Sequence, residues 1–135
     1  MSAVDQAFPR VCQEEGFRAL KYTDSRGIET IGFGFNIEAG ISKRAAGALL
    51  REQMQERHEE LSKLPWYAQL NEVRQGVCLD ISVNSGLGGL LGFHSMIDAL
   101  EAQDWTAAAA QCHVQNPELA GRYATLAKLL LTGVV

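Results

Sequence analysis

The chain has 135 residues, 47% of them hydrophobic, and a formal net charge of −4. That is enough apolar content for one buried core and too little length for two ordinary domains, so a single domain over 1-135 is expected. The negative balance, with no basic cluster longer than Lys43-Arg44, argues against a nucleic-acid surface and leaves little charge to steer the protein onto any anionic polymer.

In chain order, Val4, Phe8, Val11 and Cys12 recur at helical spacing behind Ser2, a natural N-cap, so an amphipathic helix is expected first. Pro9 should either kink this helix or mark where its regular part begins. Gly16 stops it, which leaves Glu15 at the helix C-terminus and Glu14 turned to solvent. Ala19 to Thr23 and Ile28 to Phe33 have strand content, and Asp24-Ser25-Arg26-Gly27 between them is turn chemistry, so a β-hairpin follows.

Glu15, Asp24 and Thr30 then fall on adjoining elements. Each is an ordinary residue where it stands, but the set is chemically suggestive. Glycoside hydrolysis needs two carboxyl groups, one able to donate a proton to the leaving oxygen and one ionised. A helix C-terminus favours the neutral form of an acid, whereas a polar turn rich in N–H groups favours a carboxylate. A nearby hydroxyl can help hold a water.

Ser42 should cap a long helix running to about Lys63 and stopped by Pro65, with Ala46, Leu50, Met54, Leu61 and Leu64 on its apolar side and the charged run Gln55 to Glu60 in solvent. Leu64-Pro65-Trp66-Tyr67 reads as a turn. Asn71 can cap a helix through Val83 that is apolar or small nearly all round and therefore buried. Helices are expected over His94 to Gln103, over Trp105 to about Val114 behind Asp104, and from Pro117 to Thr132, stopped by Gly133. Trp105, Leu119, Tyr123, Leu126 and Leu130 are core candidates.

Cys12, Cys78 and Cys112 are odd in number and lack the paired spacing of metal or redox motifs, so they read as reduced core residues. His58, His94 and His113 show no ligand spacing, and neither a metal nor another cofactor is expected. No apolar run has the length of a membrane span, and the first residues lack the pattern of an export signal.

The frame E-G, Y-x-D, G-x-x-T-I-G-x-G, within Glu15 to Asn36, resembles the active-site motif of the bacteriophage lysozymes of glycoside hydrolase family 24, the muramidase endolysins. A second segment, Asn84-Ser85-Gly86 followed by Gly88 to Phe93, is similar to one bordering the sugar cleft in that family. Arg122, by its distance from Gly133, matches an arginine on the far side of the cleft. The resemblance implies an α+β, mainly α fold: a small hairpin lobe, a larger helical lobe, and a cleft between them. It implies Glu15 as the acid, Asp24 as the group that activates water, Thr30 as its helper, and Asn36, Asn84 and Arg122 as substrate contacts.

Two departures stand out. Phe35 replaces the histidine usual after T-I-G-x-G, so a polar contact there must be absent or replaced by packing. His113-Val114-Gln115-Asn116 stands where a Ser-x-Trp often precedes the last helix. The implied activity is hydrolysis of the β-1,4 bond between N-acetylmuramic acid and N-acetylglucosamine, with inversion, by a phage or prophage endolysin. Such a protein is expected to act as a monomer on bacterial peptidoglycan, without membrane insertion, reaching the periplasm through a separate membrane-permeabilising protein, a holin. The alternatives are a tail-associated or toxin lysozyme, or an inactive wall-binding protein of the same fold.

Overall fold

Ser2 opens the first helix with a reciprocal cap: its hydroxyl accepts from the Asp5 N–H at 3.1 Å while the Asp5 carboxylate accepts from the Ser2 N–H at 3.1 Å. This and all that follows is seen in a computed structural model describing Met1 to Val135, which divides into two units, residues 1–48 and 49–135. The fold is α+β and mainly α, as expected, with its strands confined to the first unit.

In the first unit, α1 (Ala3–Glu15) runs unbroken through Pro9, forgoing only the bond that proline's missing N–H would give to the preceding turn. It therefore neither restarts nor breaks at Pro9. Gly16, at φ 68°, closes it by donating to the Cys12 carbonyl at 3.0 Å. Val4, Phe8 and Val11 are exposed and Cys12 is half-buried, so Cys12 is not the core residue expected.

Next come β1 (Arg18–Thr23) and β2 (Glu29–Gly32), antiparallel, with Tyr22 opposite Thr30 and Thr23 opposite Glu29. A third strand, β3 (Phe35–Asn36), pairs antiparallel with β2, Thr30 facing Asn36 and Ile31 facing Phe35. The hairpin expected from the sequence is thus a three-stranded sheet in the order β1-β2-β3. A two-residue strand is too short to show alternation.

α2 (Lys43–Leu61) carries the expected Ser42 cap, whose hydroxyl accepts from the Ala45 N–H at 3.1 Å. Its charged run is not wholly solvated. Arg57 turns inward to donate to the Ser82 carbonyl, and His58 Nδ1 lies 2.7 Å from the Tyr67 hydroxyl. The segment expected as a turn is a short helix, α3 (Pro65–Ala68), started by a proline whose fixed φ suits a first helical turn.

α4 (Glu72–Leu91) is longer than expected because it resumes after a break at Gly86, where φ 79° and ψ 166° are not helical. Such a break interrupts the helical ladder, and Arg57 takes the Ser82 carbonyl one turn earlier. Nor is α4 buried all round. Val77, Cys78, Ile81 and Leu90 are covered, while Gly76 and Val83 are exposed.

α5 (His94–Glu101) ends where Gln103, at φ 56°, is the one non-glycine in the left-handed region; the Asp104 N–H reaches back to the Ala99 carbonyl at 2.9 Å. α6 (Trp105–Ala110) stops earlier than expected, turning down through buried Cys112. A 3-10 turn at Pro117–Leu119 then leads into α7 (Ala120–Thr132). Tyr123, Leu126 and Leu130 of α7 are buried against Leu61, Tyr67, Met96 and Leu100, each full burial of a large apolar side chain stabilising by about 1.5–3 kcal/mol. Trp105 and Leu119 lie at the edge of this core, half-buried.

α4 also holds the end of α7. Arg74, 9% exposed, donates from Nε to the Leu130 carbonyl at 2.8 Å and from Nη2 to the Leu131 carbonyl at 3.3 Å, and Asn71 donates to the Gly133 carbonyl at 3.0 Å. Gly133 is required twice over. Its φ of 69° suits the left-handed cap, and a Cβ there would stand 2.8 Å from the Arg74 guanidinium carbon.

Candidate active site

The turn between β1 and β2 is built around the Asp24 carboxylate. Its Oδ1 accepts from the Ile28 N–H at 2.9 Å and from the Arg26 N–H at 2.8 Å, while the Asp24 N–H donates to the Ile28 carbonyl at 2.9 Å. The Ile28 N–H is the main reason the Asp24 carboxyl is held below the usual carboxylate range; partial burial opposes it, and the Arg26 N–H and guanidinium add to it. One oxygen of Asp24 is thus fixed by the backbone. The other accepts no protein hydrogen bond.

Thr30 is bound into the same loop. Its hydroxyl, on a residue only 4% exposed, donates to the Ile28 carbonyl at 2.9 Å, the same oxygen that takes the Asp24 N–H. Ile28 therefore ties the two side chains together through its backbone alone. Having spent its single hydrogen, the Thr30 oxygen can act towards any further partner only as an acceptor.

Asn36 lies directly across the sheet from Thr30. Facing residues in an antiparallel pair put their side chains on one face, so the two are neighbours there. Asn36 Oδ1 accepts from the Glu38 N–H at 2.9 Å and from the Ala39 N–H at 3.3 Å, capping the 3-10 turn Ile37–Ala39. Only its amide hydrogens are left for a ligand.

Glu15, the last residue of α1, is exposed and makes no hydrogen bond or ion pair within the protein. Its carboxylate rests against Gly34, in the tight connection between β2 and β3. The first unit thus brings Glu15, Asp24, Thr30 and Asn36 onto one small sheet and the helix end beside it. At the position of the family's histidine, the Phe35 ring covers Gly32, where a Cβ would meet it at 3.2 Å. Phe35 itself remains 67% exposed.

Asn84 and Arg122 belong to the second unit, on the seam between α4 and α7. Asn84 Oδ1 accepts from the Tyr123 hydroxyl at 2.9 Å. Arg122 Nε donates to Asp80 Oδ1 at 2.7 Å, and Nη2 lies 2.5 Å from the same oxygen. Both residues are partly committed inside the protein, which narrows what each can offer a substrate.

Four participants escape a reading of side-chain types. Ile28 works through its backbone, Gly34 through having no side chain, and Asp80 and Tyr123 as partners from another helix. Asp80 stands one helical turn before Asn84, a spacing that could have marked it. No group of histidines, cysteines or carboxylates is gathered as a metal site would need. No single helix is long and apolar enough to cross a membrane.

A search among characterised proteins finds no match to this chain. The family model described as phage lysozyme matches residues 12–128, a span that takes in all six candidate residues. By that match the chain belongs to the phage lysozyme family, the peptidoglycan-hydrolysing lysozymes and endolysins.

Proposed function

We propose that the chain acts as one catalytic domain that hydrolyses the β-1,4 bond between N-acetylmuramic acid and N-acetylglucosamine, as the endolysin of a phage or prophage. Glu15 is the general acid, Asp24 the general base and Thr30 its partner in holding water. The observation that carries this reading is the shared anchorage of Asp24 and Thr30 on Ile28.

A water about to attack a sugar has two hydrogens to place. The free oxygen of Asp24 accepts one, and the Thr30 oxygen, its own hydrogen already given to Ile28, accepts the other. That arrangement leaves a lone pair of the water for the anomeric carbon. Proton transfer to the ionised Asp24 as the bond forms, with Glu15 protonating the leaving oxygen, gives net inversion. A carboxylate whose one oxygen is fixed by two N–H groups is better suited to orienting water than to moving in as a nucleophile.

Asn36, Asn84 and Arg122 contribute substrate contacts through the groups that remain free. The catalyst needs only protein groups and water, works as a monomer, and reaches the wall through a holin-type partner. Clearing of purified bacterial walls tests the reading. Glu15→Gln keeps the shape and removes the donatable proton, so the rate should fall by about 10²-fold or more. Clearing at the parental rate by Glu15→Gln would make Glu15 a structural residue.

A further inference from the structure

We propose that Gly34 is a positioning residue for the acid: the absence of a side chain at this position creates the seat in which the Glu15 carboxylate rests. This rests on the reading of Glu15 as the general acid.

A Cβ built on Gly34 would stand 2.5 Å from Glu15 Oε2 and 3.1 Å from Glu15 Cδ. The first is closer than real Cβ atoms come and the second is tighter than most Cβ contacts, so the carboxylate occupies volume that a side chain at residue 34 would fill. The conflict is with the carboxyl end of a flexible side chain, not with backbone, so a larger residue 34 moves Glu15 and not the sheet. Glu15 has no hydrogen bond or ion pair to hold it elsewhere, and α1 ends at this residue. Gly34 is thus a neighbour against which the carboxyl group lies.

The location of Gly34 gives the contact its meaning. Gly34 links β2 to β3, and the register of that pair sets Ile31 opposite Phe35 and Thr30 opposite Asn36. The seat of the acid therefore lies in the turn that joins the strand carrying Thr30 to its partner. Misplacement of a catalytic group by about 1 Å can cost about 10²-fold in rate. Gly34 also has φ +78°, which by itself disfavours L side chains, so the backbone cost has to be separated from the contact.

Gly40 supplies that separation. It has φ +78° in the same unit, and a Cβ there meets nothing within 4 Å. Kinetics on soluble wall fragments should show kcat of Gly34→Ala falling by about 10²-fold with KM little changed, while Gly40→Ala keeps the parental kcat. Gly34→Asn tolerates the left-handed backbone better and keeps the Cβ, so it should lose kcat in the same way even if Gly34→Ala folds poorly.

A double-mutant cycle with Glu15→Asp, whose shortened side chain no longer reaches the seat, should show Gly34→Ala adding almost nothing to the loss. Equal kcat for the Gly34 and Gly40 variants, or a full additional loss in the Glu15→Asp background, would overturn the assignment. A separate readout does not depend on catalysis. The 13C resonance of the Glu15 carboxyl carbon should shift in Gly34→Asn and not in Gly40→Ala, and an unmoved resonance would show that no seat exists. If Glu15→Gln retained activity while this resonance still moved, the role given to Glu15 would fail and the contact would stand.

Discussion

The guanidinium of Arg74 lies 3.7 Å over the ring of Trp105 while donating to the two carbonyls at the end of α7. A buried cation with no carboxylate partner is unusual, and here the negative end of a helix and the face of an indole stand in for one. Charged hydrogen bonds to otherwise unpaired carbonyls are each worth about 1.5–3 kcal/mol. Arg74→Met should therefore cost about 2–4 kcal/mol, lowering Tm by roughly 6–15 °C. Arg74→Lys should recover little, because an ammonium cannot reach both carbonyls and stack on the ring together. A thermal melt of Arg74→Met within 2 °C of the parent, on the order of the smallest shift expected for one lost interaction, would refute this account.

In the proposed mechanism Asp24 governs the acid side of the pH profile. Its carboxyl lies below the usual range, so it is still more than half ionised at the ordinary aspartate value of about 3.9, and the midpoint of its protonation lies below that. The small stability that comes with this ionisation is present above the unfolded-state value and disappears as pH falls through the lower folded one. The acid limb of kcat/KM should accordingly lie below about pH 4. Asp24→Asn keeps an oxygen for the Ile28 and Arg26 N–H groups, so it should melt near the parental temperature while losing about 10²-fold or more in rate. An acid limb near pH 6 would point to a different base.

The inversion proposed above would make the first product an α-anomer. Proton NMR of the reducing end, recorded before the anomers interconvert, distinguishes it from the β-anomer of a retaining enzyme. In the proposed mechanism Thr30→Ala should lower kcat more than it raises KM, because it removes an acceptor for the attacking water. An initial β-anomer would transfer Asp24 to the role of nucleophile.

Of the three thiols, Cys12 is half-buried and the other two are buried. Burial, with Cys112 nearby, pushes the Cys78 thiol up to about 12, and burial, with Asp80 nearby, pushes Cys112 up to about 11. Brief iodoacetamide treatment of the folded protein should therefore modify Cys12 alone, read by mass spectrometry. Raised folded-state values mean that these thiols stay neutral in the fold after their unfolded counterparts have ionised. Their contribution is complete below the unfolded value of about 8.5 and is lost as pH rises towards 11 and 12. Tm should fall between pH 8.5 and 11, and Cys78→Ala, though less stable at neutral pH, should show a shallower fall. A parental Tm flat across that range would contradict the burial of these groups.

Local chemistry made the first unit readable in the sequence. Ser2 as cap, Gly16 as stop and Asp24-Ser25-Arg26-Gly27 as turn each act within a few residues, so their signals lie side by side in the chain. β3 was not readable, since a strand of two residues exists only because β2 is there to receive it. In the second unit, helical periodicity identified Tyr123, Leu126 and Leu130 as core. It gave no warning that Arg57 and His58 turn inward from a charged run, because their partners, Ser82 and Tyr67, lie on other helices. The resumption of α4 beyond Gly86 was hidden for a similar reason. Asn-Ser-Gly reads as a stop, and only the packing of Leu90 in the core shows that the helix continues. The seat at Gly34 was least visible of all, being a space and not a side chain.

The clasp that Arg74 and Asn71 make on residues 130–133 also bears on how the chain is made. On a ribosome, the contacts of the sheet close within a few tens of residues and can form early, as local contacts do. The second unit has no such freedom. Arg74 emerges long before the carbonyls of Leu130 and Leu131 exist, and until they arrive a guanidinium meant for the interior stays in water. The hydrogen bonds that tie α4 to the end of α7 can form only once the final turn of α7 has been made. A clipped chain lacking those few residues would lose every contact that Arg74 and Asn71 make with the end of α7.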